Sequence, residues 1–120
     1  MTKKEKELAL NICKILDGKK GKDIVLLDVS DISGFADYFV IATGTSIRHT
    51  TALADEVEKQ LSKIGEIINH KEGHNEGNWI LLDYMDIVVH IFTEDERSFY
   101  DIERIWKGSK YIELDIDIER

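Results

Sequence analysis

The chain predicts one α/β (α+β) domain, a mixed sheet of about five strands flanked by helices. Three observations carry this. Segments with apolar residues at helical spacing alternate with short apolar runs that read as buried strands. The two kinds interleave along the chain. No repeat, linker or low-complexity stretch divides the 120 residues.

The elements follow in order. Leu8, Ile12, Ile15 and Leu16 recur at helical spacing across residues 2–17, and the glycines at 18 and 21, with lysines beside them, end that helix. Residues 24–29 form a mostly apolar run closed by Ser30-Asp31-Ile32-Ser33-Gly34, a largely buried strand and its loop. Residues 38–43 form a second such run. A long helix follows to about residue 64, capped by Thr45 or Ser46, with Ile47, Leu53, Val57, Leu61 and Ile64 as its buried stripe. Ile67 and Ile68 predict a third strand, and residues 70–77, with two glycines and no apolar residue, predict a loop.

Residues 78–92 place two apolar strands back to back across a short acidic joint, with a Trp, a Tyr, a His and two Asp among them. From residue 94 to 106 the helical period returns, with Phe99, Ile102, Ile105 and Trp106 on one side and Glu94, Asp95 and Glu96 in the first turn, where the helix dipole favours them. Ile112, Leu114, Ile116 and Ile118 then alternate with acids, a period of two. Residues 1–110 are thus read as the domain, and 111–120 as a C-terminal tail or edge strand.

Composition narrows the function. No apolar stretch is long enough to span a membrane, and the Lys-rich start leads into no apolar signal core, so a soluble, cytoplasmic protein is expected, with no membrane partner. A single cysteine, Cys13, excludes an internal disulfide. The net charge of −8 is unevenly placed: residues 1–22 hold seven lysines against three acids, whereas the remainder holds nine basic and twenty-one acidic residues. An acidic body repels phosphate backbones, so little or no direct nucleic-acid contact is expected of it, and a basic protein partner suits it better.

The candidate sites differ in weight. His70 and His74 stand four apart with Glu72 and Glu76 between them, but facing ligands at that spacing need a helix, and Gly73 and Gly77 indicate a loop; no metal is predicted. Gly44-Thr45-Ser46 opens a helix and offers backbone N–H groups to a phosphate, with Arg48 beside it; the candidate carboxylates for metal ions, Asp83 and Asp86, are separated by Tyr84-Met85 in a bend between strands, and Ser and Thr caps after Gly are common in any α/β protein. Cys13 falls on the first helix near Lys14, but nothing in the sequence supplies the His or base that a nucleophile needs beside it in space, and it reads as a small buried or boundary residue. Strand alternation lets Asp86, Val88 and His90 share a face with Trp79, Leu81 and Asp83. Aromatic anchors rimmed by charge build protein interfaces, although Trp79 and Tyr84 suit a core equally well.

Several segments together resemble one family, the ribosomal silencing factors, also called the Iojap family. They are Asp28-Val29-Ser30; the run from Ala36 through Asp37-Tyr38-Phe39-Val40-Ile41-Ala42-Thr43-Gly44-Thr45 to Ser46, with Arg48; Glu72-Gly73; Trp79-Ile80-Leu81-Leu82-Asp83-Tyr84; Asp86-Ile87-Val88-Val89-His90-Ile91-Phe92; and Arg97, Phe99, Tyr100, Glu103 and Trp106. His49 and Met85 depart from the residues common in the family.

The resemblance implies a nucleotidyltransferase-like fold without catalytic equipment, no cofactor, no enzymatic activity, and a homodimer when free. It further implies binding to large ribosomal subunit protein fourteen, which blocks joining of the small and large subunits and represses translation under nutrient limitation. The partner-binding residues it implies are Trp79, Leu81, Asp83, Tyr84, Asp86 and His90. The alternatives are a nucleotide-binding or nucleotidyltransferase-like enzyme, prompted by the Gly44-Thr45-Ser46 turn, and a large-subunit assembly factor.

Overall fold

A computed structural model describes residues 3–100, 110–112 and 114. Helix α1 (Lys3–Gly18) leads into strand β1 (Lys22–Asp28), then β2 (Tyr38–Gly44), helix α2 (Ile47–Lys63), β3 (His70–Glu72), β4 (Trp79–Asp83), β5 (Ile87–Thr93), α3 (Glu94–Tyr100) and β6 (Lys110–Ile112). The strands form one sheet in the order β3-β4-β5-β2-β1-β6. β2 and β5 at its centre run parallel, and the other pairings are antiparallel. The mixed sheet flanked by helices is the predicted class, with six strands among the described residues.

The sheet has two unlike faces. On one, Leu26, Tyr38, Val40, Ala42, Ile80, Leu82, Val89 and Ile91 pack against Ala9, Ile12 and Leu16 of α1 and Leu53, Val57 and Leu61 of α2. This is the main core, and it takes up Leu8, Ile12, Ile15 and Leu16 of α1 and Leu53, Val57 and Leu61 of α2, whereas Ile47 and Ile64, expected in the buried stripe, lie exposed at the two ends of α2, where the helix overhangs the sheet. On the other, Leu27, Phe39, Ile41, Val88 and Phe92 form a second cluster. Every residue of β2 is buried, as a central strand covered on both faces requires. Gly44 closes it where no side chain fits: a Cβ there would lie 2.7 Å from Thr50 Cγ2 and 2.9 Å from the Thr50 backbone nitrogen.

The third strand departs from expectation. It lies at His70–Glu72 inside the predicted loop, and not at Ile67 and Ile68. Pairing with β4 decides this. Asn69 donates its N–H to the Asp83 carbonyl, and His70 and Glu72 stand opposite Asp83 and Leu81, while Ile67 is 74% exposed. An edge strand lies at Lys110–Ile112, antiparallel to β1 and just ahead of most of the period-two segment, with Ile112 and Leu114 packed on the main core; the remaining positions of that segment, 113 and 115–120, lie outside the described residues. The third helix is described as far as Tyr100, and the Ile102, Ile105 and Trp106 positions lie outside the described residues.

Candidate functional site

Strand register decides which side chains share a face. Trp79 pairs with Phe92, Leu81 with His90 and Asp83 with Val88. On the other flank of β5, Ile41 pairs with His90 and Phe39 with Val88. Because alternate residues point to opposite faces, Trp79, Leu81, Asp83, Val88, His90 and Phe92 share the face away from α1 and α2. Ile80, Leu82 and Tyr84 point into the main core.

Aromatic contacts hold Trp79 from behind. Its Nε1–H donates to His90 Nδ1 at 3.2 Å, and its ring centre lies 4.9 Å from that of Phe92. Phe39 meets the imidazole edge-on at 4.8 Å. Since Nδ1 accepts, the neutral ring carries its proton on Nε2, which is buried and has no acceptor among the described residues. Burial pushes the imidazole down to about 4, so the ring is uncharged at neutral pH. His90 therefore acts as a structural acceptor beneath Trp79. Trp79 and Leu81 are only half-buried, and with Glu72 and Gly73 they line a hollow of about 320 Å³.

Gly73 makes that hollow possible. Its φ is +75°, and a Cβ would fall 2.0 Å from the Trp79 carbonyl oxygen. Thr50, fully buried on α2, directs its hydroxyl to the carbonyls of Gly77 (2.6 Å) and Ile47 (2.8 Å), tying the segment ahead of β4 to the helix. Neither residue stood out in the sequence as a site determinant, although the two glycines of that segment marked its turns.

At the end of β4, Asp83 accepts from the Met85 N–H at 2.8 Å and from Asn69 Nδ2 at 3.3 Å. Met85 is exposed at φ +75°, a conformation that favours glycine. Asp86 is exposed, and its carboxylate lies with those of Glu5 and Asp37 in a group whose oxygens are all within 4.8 Å of one another. Glu5 reaches this group from α1, a long-range meeting that no local motif announces. Tyr84, by contrast, is 8% exposed and belongs to the main core, where burial pushes its phenol up to about 12.

The remaining candidates take separate places. His70 faces Glu72 at 3.2 Å, whereas His74 bonds Asp55 at 2.8 Å, so the two histidines engage different carboxylates. Cys13 is buried, and burial pushes its thiol up to about 12, far from a reactive thiolate. At the C-terminal ends of β2 and β5, an open crevice of about 480 Å³ adjoins the α2 N-terminus. There Ser46 Oγ accepts the His49 N–H, and the Thr45 N–H donates to His49 Nδ1, so two groups suited to a phosphate are already engaged. Glu94 and Asp95 line the same crevice and set negative charge where a phosphate would sit. Among the described residues no helix is long and apolar enough to cross a membrane.

Residues 2–120 match the family model described as ribosomal silencing factor during starvation. A ribosomal silencing factor from Bacillus subtilis is 38% identical over 104 residues, which are 87% of this chain and 88% of that protein. A crystal structure of a Chromobacterium violaceum protein superposes with a TM-score of 0.79 at 36% identity, covering 100% of this chain and 98% of that one. A mouse protein named for mitochondrial assembly of the ribosomal large subunit is 28% identical over 98 residues, 79% of this chain and 43% of its own length.

Proposed function

The chain belongs to the ribosomal silencing factor family, and from that premise we propose that it silences translation by docking on protein fourteen of the large ribosomal subunit and blocking the small subunit from joining. It acts by occupation of a surface, without catalysis or cofactor, in the cytoplasm, and as a homodimer when free. The observation that carries this reading is the half-buried Trp79 and Leu81 pair on the sheet face turned away from α1 and α2, held by His90 and Phe92, with Glu72 lining the same hollow, Asp83 at the far end of β4 and Asp86 in the turn beyond it. A pre-set aromatic anchor with acidic groups at its margin suits a basic protein surface. In this reading Trp79 and Leu81 touch the partner, Asp83 and Asp86 orient it, and Tyr84 and His90 support the strand from behind. The name of the mouse relative favours the large subunit as the particle recognised.

Co-sedimentation tests it. The chain pellets with isolated large subunits and lowers the yield of joined ribosomes, and Trp79→Ala weakens binding by at least about tenfold, the cost of a central aromatic anchor. Charge reversal at Asp86 slows association and makes it less sensitive to salt. Absence of binding at moderate salt, or full binding by the Trp79→Ala protein, overturns the proposal. Preference for precursor particles over mature subunits would instead place the chain in large-subunit assembly.

A further inference from the structure

The helical layer of α1 and α2 covers the sheet face opposite Trp79, and positive charge collects there. Residues 1–22 carry seven lysines against three acids in a chain whose net charge is −8. Lys19, Lys20 and Lys22 are exposed at the junction of α1 and β1, and Lys59 and Lys63 are exposed on α2. Packing brings the two groups together around one carboxylate: Lys19 Nζ lies 3.9 Å from Glu56 Oε1. The Glu56 carboxyl is held below its usual range by the Gln60 amide and then by the charges of Lys19, Lys59 and Lys63. Of the other acids nearby, Asp17 is partly buried, Asp55 and Glu58 of α2 are engaged by His74 and Lys71, Glu66 lies beyond the end of α2, and Asp23 is exposed.

Two features make this surface more than solvation. Lys20 has φ +66°, a left-handed conformation that favours glycine and costs a lysine about 1–2 kcal/mol, so a cation is kept where a glycine would be more comfortable. The chemistry of the surface is also one-sided. The exposed large apolar residues near α2 lie at its ends, Ile47 at one and Ile64 with Ile67 just beyond the other, and none lies among Lys19, Lys59 and Lys63. A protein partner needs apolar or aromatic anchors, and a membrane surface needs an apolar helix face. Phosphate backbones need only positioned cations.

We propose that the helical layer binds the phosphodiester backbone of RNA through Lys19, Lys20, Lys22, Lys59 and Lys63, as a second contact on the side opposite the Trp79 face. The acidic body keeps nucleic acid off the sheet margin and confines it to this layer. The proposal extends the ribosomal reading, since a silencing factor seated on one ribosomal protein would then also engage neighbouring RNA.

Fluorescence anisotropy with the full chain and a labelled RNA hairpin tests it. Binding is measurable at low salt, and its logarithm falls linearly with the logarithm of salt concentration. The paired variants Lys19→Gln/Lys20→Gln and Lys59→Gln/Lys63→Gln each reduce that slope by about 2 and weaken binding by about tenfold or more at moderate salt. Circular dichroism and thermal melting confirm that these surface variants stay folded. Trp79→Ala leaves hairpin binding unchanged, and the lysine variants leave binding to isolated protein fourteen unchanged, so failure of the docking reading and failure of this one are distinguishable. No hairpin binding at low salt, an unchanged slope in both lysine pairs, or equal competition by polyglutamate overturns the RNA assignment.

Discussion

The buried imidazole of His90 makes stability depend on pH in a window that can be calculated. Its folded-state pKa of about 4 lies below the ordinary value of 6.5, and desolvation is the cause. Between those values the unfolded chain binds a proton that the folded chain excludes, so stability rises with pH across the window and is lost as pH falls through it. At about 1.4 kcal/mol per pH unit, the full effect is roughly 3 kcal/mol, a large share of the 5–15 kcal/mol of an ordinary domain. Carboxylates held low, such as Asp28, where the Ser30 hydroxyl and N–H bonds outweigh burial, lose their contribution at still lower pH. The assay is urea unfolding at half-unit steps from pH 4.5 to 7.5, run on the unaltered chain and on His90→Gln. The glutamine amide oxygen keeps an acceptor for Trp79 Nε1–H and does not titrate. The difference between the two proteins isolates the imidazole, and it shrinks as pH falls from 6.5 to 4.5. Parallel curves would refute the reasoning, because they would mean that the folded protein accommodates the charged ring.

Three further substitutions test the scaffold beneath the docking face. Thr50→Val leaves the buried Gly77 carbonyl without its hydroxyl donor and costs about 1–3 kcal/mol by urea unfolding, and a smaller loss would show that the bond at 2.6 Å contributes little. Gly73→Ala introduces both the left-handed strain at φ +75° and a contact at 2.0 Å with the Trp79 carbonyl; it costs more than about 2 kcal/mol and abolishes co-sedimentation with the large subunit at a temperature where the variant remains folded. Met85→Gly relieves the strain at φ +75° and raises stability by about 0.5–1 kcal/mol after the entropy cost of glycine, read as a higher urea midpoint; a lower midpoint would show that the Met85 side chain contributes packing despite its 61% exposure.

Much of this was legible because local patterns carry it. The helical stripe of α1, the central part of the α2 stripe, the buried β2 and β5 and the alternation of Trp79, Leu81 and Asp83 follow from periodicity, whereas Ile47 and Ile64 keep the α2 period but overhang the sheet and stay exposed. Alternation also places Tyr84 with Ile80 and Leu82, which separates it from Trp79, although the family motif runs through both. β3 was misplaced because His70, Lys71 and Glu72 are all exposed, so no apolar pattern marks an edge strand that only pairing with β4 creates. The Glu5, Asp37 and Asp86 group was invisible because its members come from α1, from the residue ahead of β2 and from the turn ahead of β5. Likewise, the lysines of α1 and α2 become one surface only once the helices pack and Lys19 reaches Glu56.

The two kinds of contact around Trp79 have different consequences for binding. The indole is fixed by the His90 bond, by Phe92, by Gly73 against its carbonyl and by Thr50 holding the preceding segment, so little side-chain freedom is left to lose on docking. Pre-organisation of that kind strengthens binding by lowering the ordering cost, and removing the anchor therefore speeds dissociation. Asp83, part-buried, and Asp86, exposed beside Glu5 and Asp37, stand away from Trp79 at the other end of β4 and β5, so in the docking reading their charge acts on the encounter more than on the residence time. Binding kinetics at two salt concentrations separate the roles. Trp79→Ala should raise the dissociation rate with the salt dependence of association intact, whereas reversal of Asp86 should lower the association rate and flatten its salt dependence. If both variants changed the same rate constant, anchor and margin would form a single cooperative contact, and the sheet face would have to be treated as one unit.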